Sequence, residues 1–322
     1  MDSLDLRLLR AQFVGEAYTL RGVDPRRSIL GLARKVGVSR VTVSRRLARW
    51  QVDGFWNGLV TYPNPDAFGA RWRVQPLLLE NARTRKRFES AIRDILEPFL
   101  TFQIGDLYGS ITLDEYPADS TRRQQAFRKA SGCSVMPPIV DIPFPGSELP
   151  LTPRDWRILQ ALRRTVEPDW TRVAQETGTT LRGLERRVHR LMGSNALFFQ
   201  PLLDFRRLPV SIAWVGLLYS PQADPQEVWA SVERLHPDAF RVDPPVPVDV
   251  FLPTEGRPPT GGAVTFFVTV TSGSSADQVR RNFEENPGVV DVIVGFPTRN
   301  ATLARGLDAR IARAAGPLPP AN

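Results

Sequence analysis

Two stretches concentrate the residues whose types and spacing could do chemistry: "VGVSRVTVSRRLARW" at 36–50 and "TGTTLRGLERRVHRL" at 177–191. Set 141 positions apart, they align Gly37 with Gly178, Val43 with Leu184, Leu47 with Val188, and Arg45-Arg46 with Arg186-Arg187. Val43, Leu47 and Trp50 fall at i, i+4 and i+7, the spacing of one buried helical stripe. The outward set is then Arg40, Thr42, Ser44, Arg45, Arg46 and Arg49, with Ser39 as the capping residue beside it. A guanidinium pairs bidentately with guanine O6 and N7, roughly 1–3 kcal/mol of discrimination against a wrong base. Arg40, Thr42, Ser44 and Arg45 stand early enough on such a helix to reach base edges, and Arg46 and Arg49 suit phosphates. A bare row of arginines is more often a solvated helix face. Here the preceding glycine turn and the charge of the surrounding block favour contact with double-stranded DNA.

In the second stretch Arg182, Arg186, Arg187 and Arg190 repeat the basic pattern, but Glu185 adds a carboxylate to the same face. Gly183 weakens a helix by about 1 kcal/mol relative to alanine. The segment after it, "SNALFFQPLLDFRRL" (194–208), carries no charge before Asp204. This copy therefore reads either as a second DNA-binding head or as a packing module.

The chain has 322 residues and a net charge of +8. Residues 1–60 hold 11 Lys and Arg against 5 Asp and Glu, and residues 151–207 hold 11 against 6. Residues 61–150 are neutral and the remainder is acidic, so the positive charge lies in the two blocks that carry the arginine stretches. The single cysteine, Cys133, excludes an internal disulfide and a cysteine-built zinc site. No run has the roughly 18–20 apolar residues of a membrane span, and the N-terminus lacks a secretory apolar core. A cytoplasmic protein is expected. P-loop, G-x-G-x-x-G, H-E-x-x-H and C-x-x-C motifs are absent, and "PPTGGA" (258–263) reads as a hairpin loop. His189 and His236 have no evident metal or triad partner. No enzymatic activity, metal or cofactor is expected on this reading.

The elements that must position the arginines recur in the same order. "LDLRLLRA" (4–11) and "RDWRILQA" (154–161) read as first helices, the second with a Thr152/Asp155 capping box and Pro153 in its first turn. A second helix is expected at about Arg27–Val36, burying Leu32, Ala33 and Val36, and a third from the Ser39 cap to about Val52. A glycine turn before a capped helix is the helix-turn-helix pattern, and "GFWNGLVTYPNP" (54–65) reads as a wing. Residues 71–80, 100–116 and 133–142 then read as strands, with helices at 84–96 and 118–130. The second copy repeats this with strands at 209–220, up to 271 and at 289–296, and helices at 224–235 and 275–286. That order is βαββαβ, the ferredoxin-like split unit. Leu303, Leu307 and Ile311 predict a last helix over 301–316.

These residues resemble the Lrp/AsnC family of transcription regulators. "LARKVGVSRVTVSRRLARW", "DGFWNGLVTYPNPDAFG", "QIGDLYGSITL" and "NPGVVDVIV" carry the likeness, as two family-length units in tandem. The resemblance implies an α+β fold with two winged helix-turn-helix domains alternating with two ferredoxin-like domains. The expected boundaries are 1–62, 63–148, 149–207, 208–300 and a tail at 301–322. It also implies sequence-specific DNA binding, with the ferredoxin-like domains sensing a small molecule such as an amino acid or mediating assembly. Gly105 and Asp106 match the family's effector turn imperfectly, because they are adjacent. Such regulators pair two chains; here one chain is expected to form an intrachain pseudo-dimer or a homo-oligomer. Two other readings stay open. Siroheme decarboxylases are similar in architecture and are expected to need histidine and arginine near an anionic tetrapyrrole, and a ligand sensor or scaffold without DNA binding is the third.

Overall fold

The computed structural model describes residues 3–16, 22–25, 27–78, 88, 98–104, 107–115, 125, 128–129, 140–141, 145–163, 169–207, 211–242, 259–271, 275–302 and 305–316. Among them the chain is a mixed α and β protein with antiparallel sheets.

The first three-helix unit comprises α1 (Ser3–Gln12), α2 (Ile29–Val36) and α3 (Arg40–Val52). The Ser28 side chain caps α2 by accepting from the Gly31 amide. Gly37 ends that helix at φ 76°, a left-handed conformation that glycine adopts without steric cost. Ser39 then caps α3 by accepting from the Thr42 amide. Leu32, Ala33, Val36, Val43 and Trp50 are buried as the helical period requires, and Leu47 packs at the edge of the same core. The second unit repeats this with α4 (Pro153–Arg163), α5 (Trp170–Glu176) and α6 (Leu181–Gly193). Its capping box is present: the Thr152 amide donates to Asp155 Oδ2 (2.8 Å), and the Asp155 amide donates to Thr152 Oγ1 (3.3 Å).

Each third helix runs into a strand, β1 (Trp56–Pro63) after α3 and, later in the chain, β6 (Leu197–Leu203) after α6. The two strands pair with one another, antiparallel, as a two-stranded sheet. Their register is informative. Leu59 faces Pro201 and Val60 faces Gln200, and the 141-residue shift that aligns the arginine stretches converts the first pair into the second. The register of this strand pair is therefore symmetric under that shift. The uncharged character of β6 has its explanation here: six of its seven residues are buried. Gly22, at φ 66°, closes the arrangement from one side. Val23 donates to the Phe199 carbonyl (2.8 Å), and a Cβ on Gly22 would collide with that carbonyl.

Two larger sheets follow the same plan. Strands β2 (Ala70–Leu78), β3 (Pro98–Ile104), β4 (Leu107–Glu115) and β5 (Val140–Asp141) lie in the order β3-β4-β2-β5. Strands β7 (Ser211–Tyr219), β8 (Phe240–Val242), β9 (Gly262–Val270) and β10 (Val289–Gly295) lie in the order β10-β7-β9-β8. Counted within each set, both orders are 4-1-3-2. Helices α7 (Pro225–Leu235) and α8 (Ala276–Glu284) cover one face of the second sheet. Strand β7 is buried on both faces. Ala213, Val215 and Leu217 meet these helices, and Ile212, Trp214 and Leu218 join the core shared with the helical units. The helices expected at 84–96 and 118–130 lie outside the described residues, except for Phe88 and residues 125, 128 and 129.

The tail corrects one expectation. Residues 301 and 302 are not helical: they end β11 (Pro297–Thr302), which adds to the first sheet as a fifth strand on β3. The open edge of β3 supplies backbone groups that outweigh any local helical preference there. The last helix, α9 (Arg305–Ala315), then buries Leu307, Ile311 and Ala315 against the helical core, alongside α4.

Candidate functional site

The arginines of the two third helices divide into two groups. Arg40, Ser44, Arg45 and Arg49 are exposed on α3, and Arg182, Arg186 and Arg190 are exposed on α6. Arg49 Nε lies 3.1 Å from Asp53 Oδ2, one helical turn on, in an exposed pair. Such pairs are worth a few tenths of a kcal/mol, so the guanidinium stays available to a stronger anion. Ser39 and Thr42 are engaged locally, their hydroxyls 2.9 Å apart.

Arg46 and Arg187 belong to the other group, and here the structure departs from the expected outward set. Arg46 NH1 reaches Asp5 Oδ2 (2.8 Å), and Trp50 Nε1 donates to Asp5 Oδ1 (3.2 Å). Arg187 grips Asp155 with two bonds, Nε to Oδ1 (2.6 Å) and NH2 to Oδ2 (2.5 Å). Asp5 and Asp155 are 3% and 1% exposed. Position i+3 from the stripe's first residue falls on the flank of the buried face, so these guanidinia reach the first helix of their own unit and clamp the two together. The signal was in the sequence: Asp5 and Asp155 hold the same place in "LDLRLLRA" and "RDWRILQA", among residues that are buried. Burial alone would raise the Asp155 carboxyl. Hydrogen bonds from Arg187 and Thr152 outweigh it and hold the group below the ordinary carboxylate value.

Glu185 and His189 share the exposed side of α6 with its arginines. Gly183, costly to a helix in isolation, has a local reason. Its amide donates to Thr180 Oγ1 (3.1 Å), and a Cβ would lie 2.9 Å from Thr179 Oγ1 and 3.0 Å from Thr180 Oγ1.

Two cavities lie beside the second sheet. The larger, about 700 Å³, is open and bounded by Arg7, Arg10, Ala11, Lys35, Val36, Pro237 and Asp238. Arg7 is fixed by the Val36 carbonyl (2.6 Å) and Arg10 by Glu233 (3.1 Å), so both guanidinia are held on its wall. The smaller, about 260 Å³, includes His236, Thr269, Asn282 and Phe283. The His236 ring packs 4.7 Å from Phe283, and burial lowers its pKa. Sequence reasoning missed both cavities, because each is walled by segments far apart in the chain. Gly105 and Asp106, the expected effector turn, lie outside the described residues. Among the described residues no three His, Cys, Asp or Glu side chains cluster to hold a metal, and no helix is long and apolar enough to cross a membrane.

No protein-family model matches the chain, and no curated protein matches it. Among solved structures, it is similar to the siroheme decarboxylase NirDL at 8% identity, over 97% of this chain and 98% of that one, with a TM-score of 0.49. The same enzyme in co-complex with an iron-uroporphyrin III analogue matches at 9% identity over 97% and 98%, with a TM-score of 0.46. An AsnC family transcriptional regulator from Agrobacterium tumefaciens matches at 19% identity over 44% of this chain and 88% of that one, with a TM-score of 0.28. These figures assign no activity. They do overturn the expectation that the chain is not an enzyme, because the two structures matched over 97% of it are of an enzyme.

Proposed function

We propose that the chain is a DNA-binding transcription regulator of Lrp/AsnC type, built as a tandem duplication that forms its own pseudo-dimer. In this reading the three-helix units with β1 and β6 are winged helix-turn-helix domains at 1–62 and 149–207. The sheets with strand order 4-1-3-2 are ferredoxin-like domains at 63–148 and 208–300, except that β11 (Pro297–Thr302) crosses to the first sheet before the tail. The observation that carries it is the pairing of β1 with β6. Its register is symmetric under the 141-residue shift, which supports a two-fold arrangement of α3 and α6 such as duplex half-sites require of a dimeric reader. Exposed arginines on both helices supply phosphate and base contacts: Arg40, Arg45 and Arg49 on one, Arg182, Arg186 and Arg190 on the other. Arg46 and Arg187 hold the helices in place rather than reading bases. The ferredoxin-like domains sense a small effector or mediate assembly.

Genomic footprinting of the bound chain, followed by salt titration on the recovered duplex, tests this. With about six phosphate contacts, log affinity falls against log salt with a slope of roughly −5. No enriched duplex, or a slope near zero, rejects the reading.

A second reading is an enzyme acting on an anionic tetrapyrrole, and the larger cavity favours it. Arg7, Arg10 and Lys35 give its wall the positive charge a polycarboxylate ring needs, and its 700 Å³ gives the room. Neither histidine lines it. Titration with iron uroporphyrin decides the matter. A Soret shift lost in Arg7→Ala with Lys35→Ala supports the enzyme reading, and an unperturbed spectrum rejects it.

A further inference from the structure

The first turns of α3 and α6 expose one arginine and one aliphatic residue each, in opposite order. On α3 these are Arg40 and then Val41, whose side chain is 66% exposed. On α6 they are Leu181, 42% exposed, and then Arg182. The 141-residue shift places Leu181 at the Arg40 position and Arg182 at the Val41 position, so residue types are exchanged between equivalent positions of the two units. Consecutive residues of an α-helix point about 100° apart, so the exchange swings the guanidinium across the helix face.

An aliphatic side chain held out in water at the start of such a helix gains nothing from the fold. It does complement one feature of the major groove, the C5-methyl of thymine, just as the adjacent arginine complements guanine O6 and N7. Val41 is flanked by the exposed Arg40, Ser44 and Arg45, a surface that suits a polyanion and no apolar protein partner. We infer that Val41 and Leu181 each read a thymine methyl beside an arginine-read guanine, and that the two half-sites are therefore unlike. The chain would bind an asymmetric operator in one orientation, where a dimer of identical chains reads a palindrome. This rests on the DNA-binding reading above.

The test uses the full chain and a random duplex library. Enriched sequences are expected to hold two unlike half-sites, with guanine and thymine in opposite order along them. Replacing the thymine opposite Val41 with deoxyuridine removes only the methyl group. Burial of one such carbon is worth about 0.8 kcal/mol, so affinity should fall about fourfold. In Val41→Ala the same base replacement should change nothing, and at 66% exposure this substitution should leave the thermal midpoint unmoved. An enriched palindrome, or wild-type protein indifferent to deoxyuridine at every thymine, overturns the inference while leaving DNA binding intact. Failure to enrich any duplex overturns both, so the two failures are distinguishable.

Discussion

The two three-helix units solve one packing problem with different residues. In the first, Asp5 is shared between Arg46 and the Trp50 indole, a charged and a neutral donor. In the second, Leu191 stands where Trp50 stands, and Asp155 instead takes a two-point grip from Arg187 together with the Thr152 hydroxyl and amide. The polar contact is kept in both units while its composition changes. An arginine preserved between two copies of a basic helix thus has two separate reasons to be there. Of the aligned pairs, Arg45 and Arg186 face solvent, and Arg46 and Arg187 face the first helix. Basic sequence alone does not tell an anion-binding arginine from a structural one.

The largest effect expected from breaking this comparison is on DNA affinity. On the proposed DNA-binding reading, Arg40→Ala with Arg45→Ala should weaken specific binding by about 2–6 kcal/mol, thirtyfold or more. Arg182→Ala with Arg186→Ala should cost less, because Glu185 already opposes that face. A gel-shift titration at fixed salt measures both, and equal losses would make the two heads equivalent.

Stability comes next. Asp155→Ala leaves Arg187 without its two-point partner and should cost about 3 kcal/mol in urea denaturation, near the low end for breaking a buried pair because Arg187 is partly exposed. Asp5→Ala should cost about 2 kcal/mol, since it leaves the buried Trp50 indole N–H and the partly exposed Arg46 without their shared carboxylate. A larger loss for Asp5 would reverse this ranking of the two clamps.

Smaller still, on the same reading, Glu185→Ala should tighten DNA binding two- to threefold at low salt by removing a carboxylate from the exposed arginine face of α6, an effect that vanishes at high salt.

The smallest effect is on pH dependence. Asp155 has its folded pKa below the ordinary 3.8. Its contribution is therefore present above that value and is lost as pH falls through the folded pKa. Stability curves of wild type and Asp155→Asn should converge below pH 3.8 and run parallel above it. Convergence at neutral pH would assign the stabilisation to another group.

Much of the fold was legible in the sequence because it follows from local signals. The i, i+4, i+7 stripe with the Ser39 cap gave α3, and the Thr152/Asp155 pair gave the start of α4. Alternation and turn residues placed β7, β10 and the end of β9 within a few residues. The candidate site was legible in part. Arg40, Arg45, Arg182 and Arg186 face outward as the stripe dictates. Arg46 and Arg187 do not, since their partners lie 41 and 32 residues away on another helix. The exposed Val41 and Leu181 passed unnoticed because aliphatic residues in a helix read as core.

What the sequence determined by itself is the two three-helix units, most of the described strands and the concentration of positive charge in two blocks, since caps, periodicity and composition act over a few residues. Only the tertiary structure decided three further matters. It turned Arg46 and Arg187 inward, joined β1 to β6 in one antiparallel sheet, and carried β11 from the end of the chain to the edge of β3. The physical reason is common to all three. A buried carboxylate and an open strand edge each leave polar groups that must be satisfied, and the group that satisfies them is chosen by packing across the chain rather than along it.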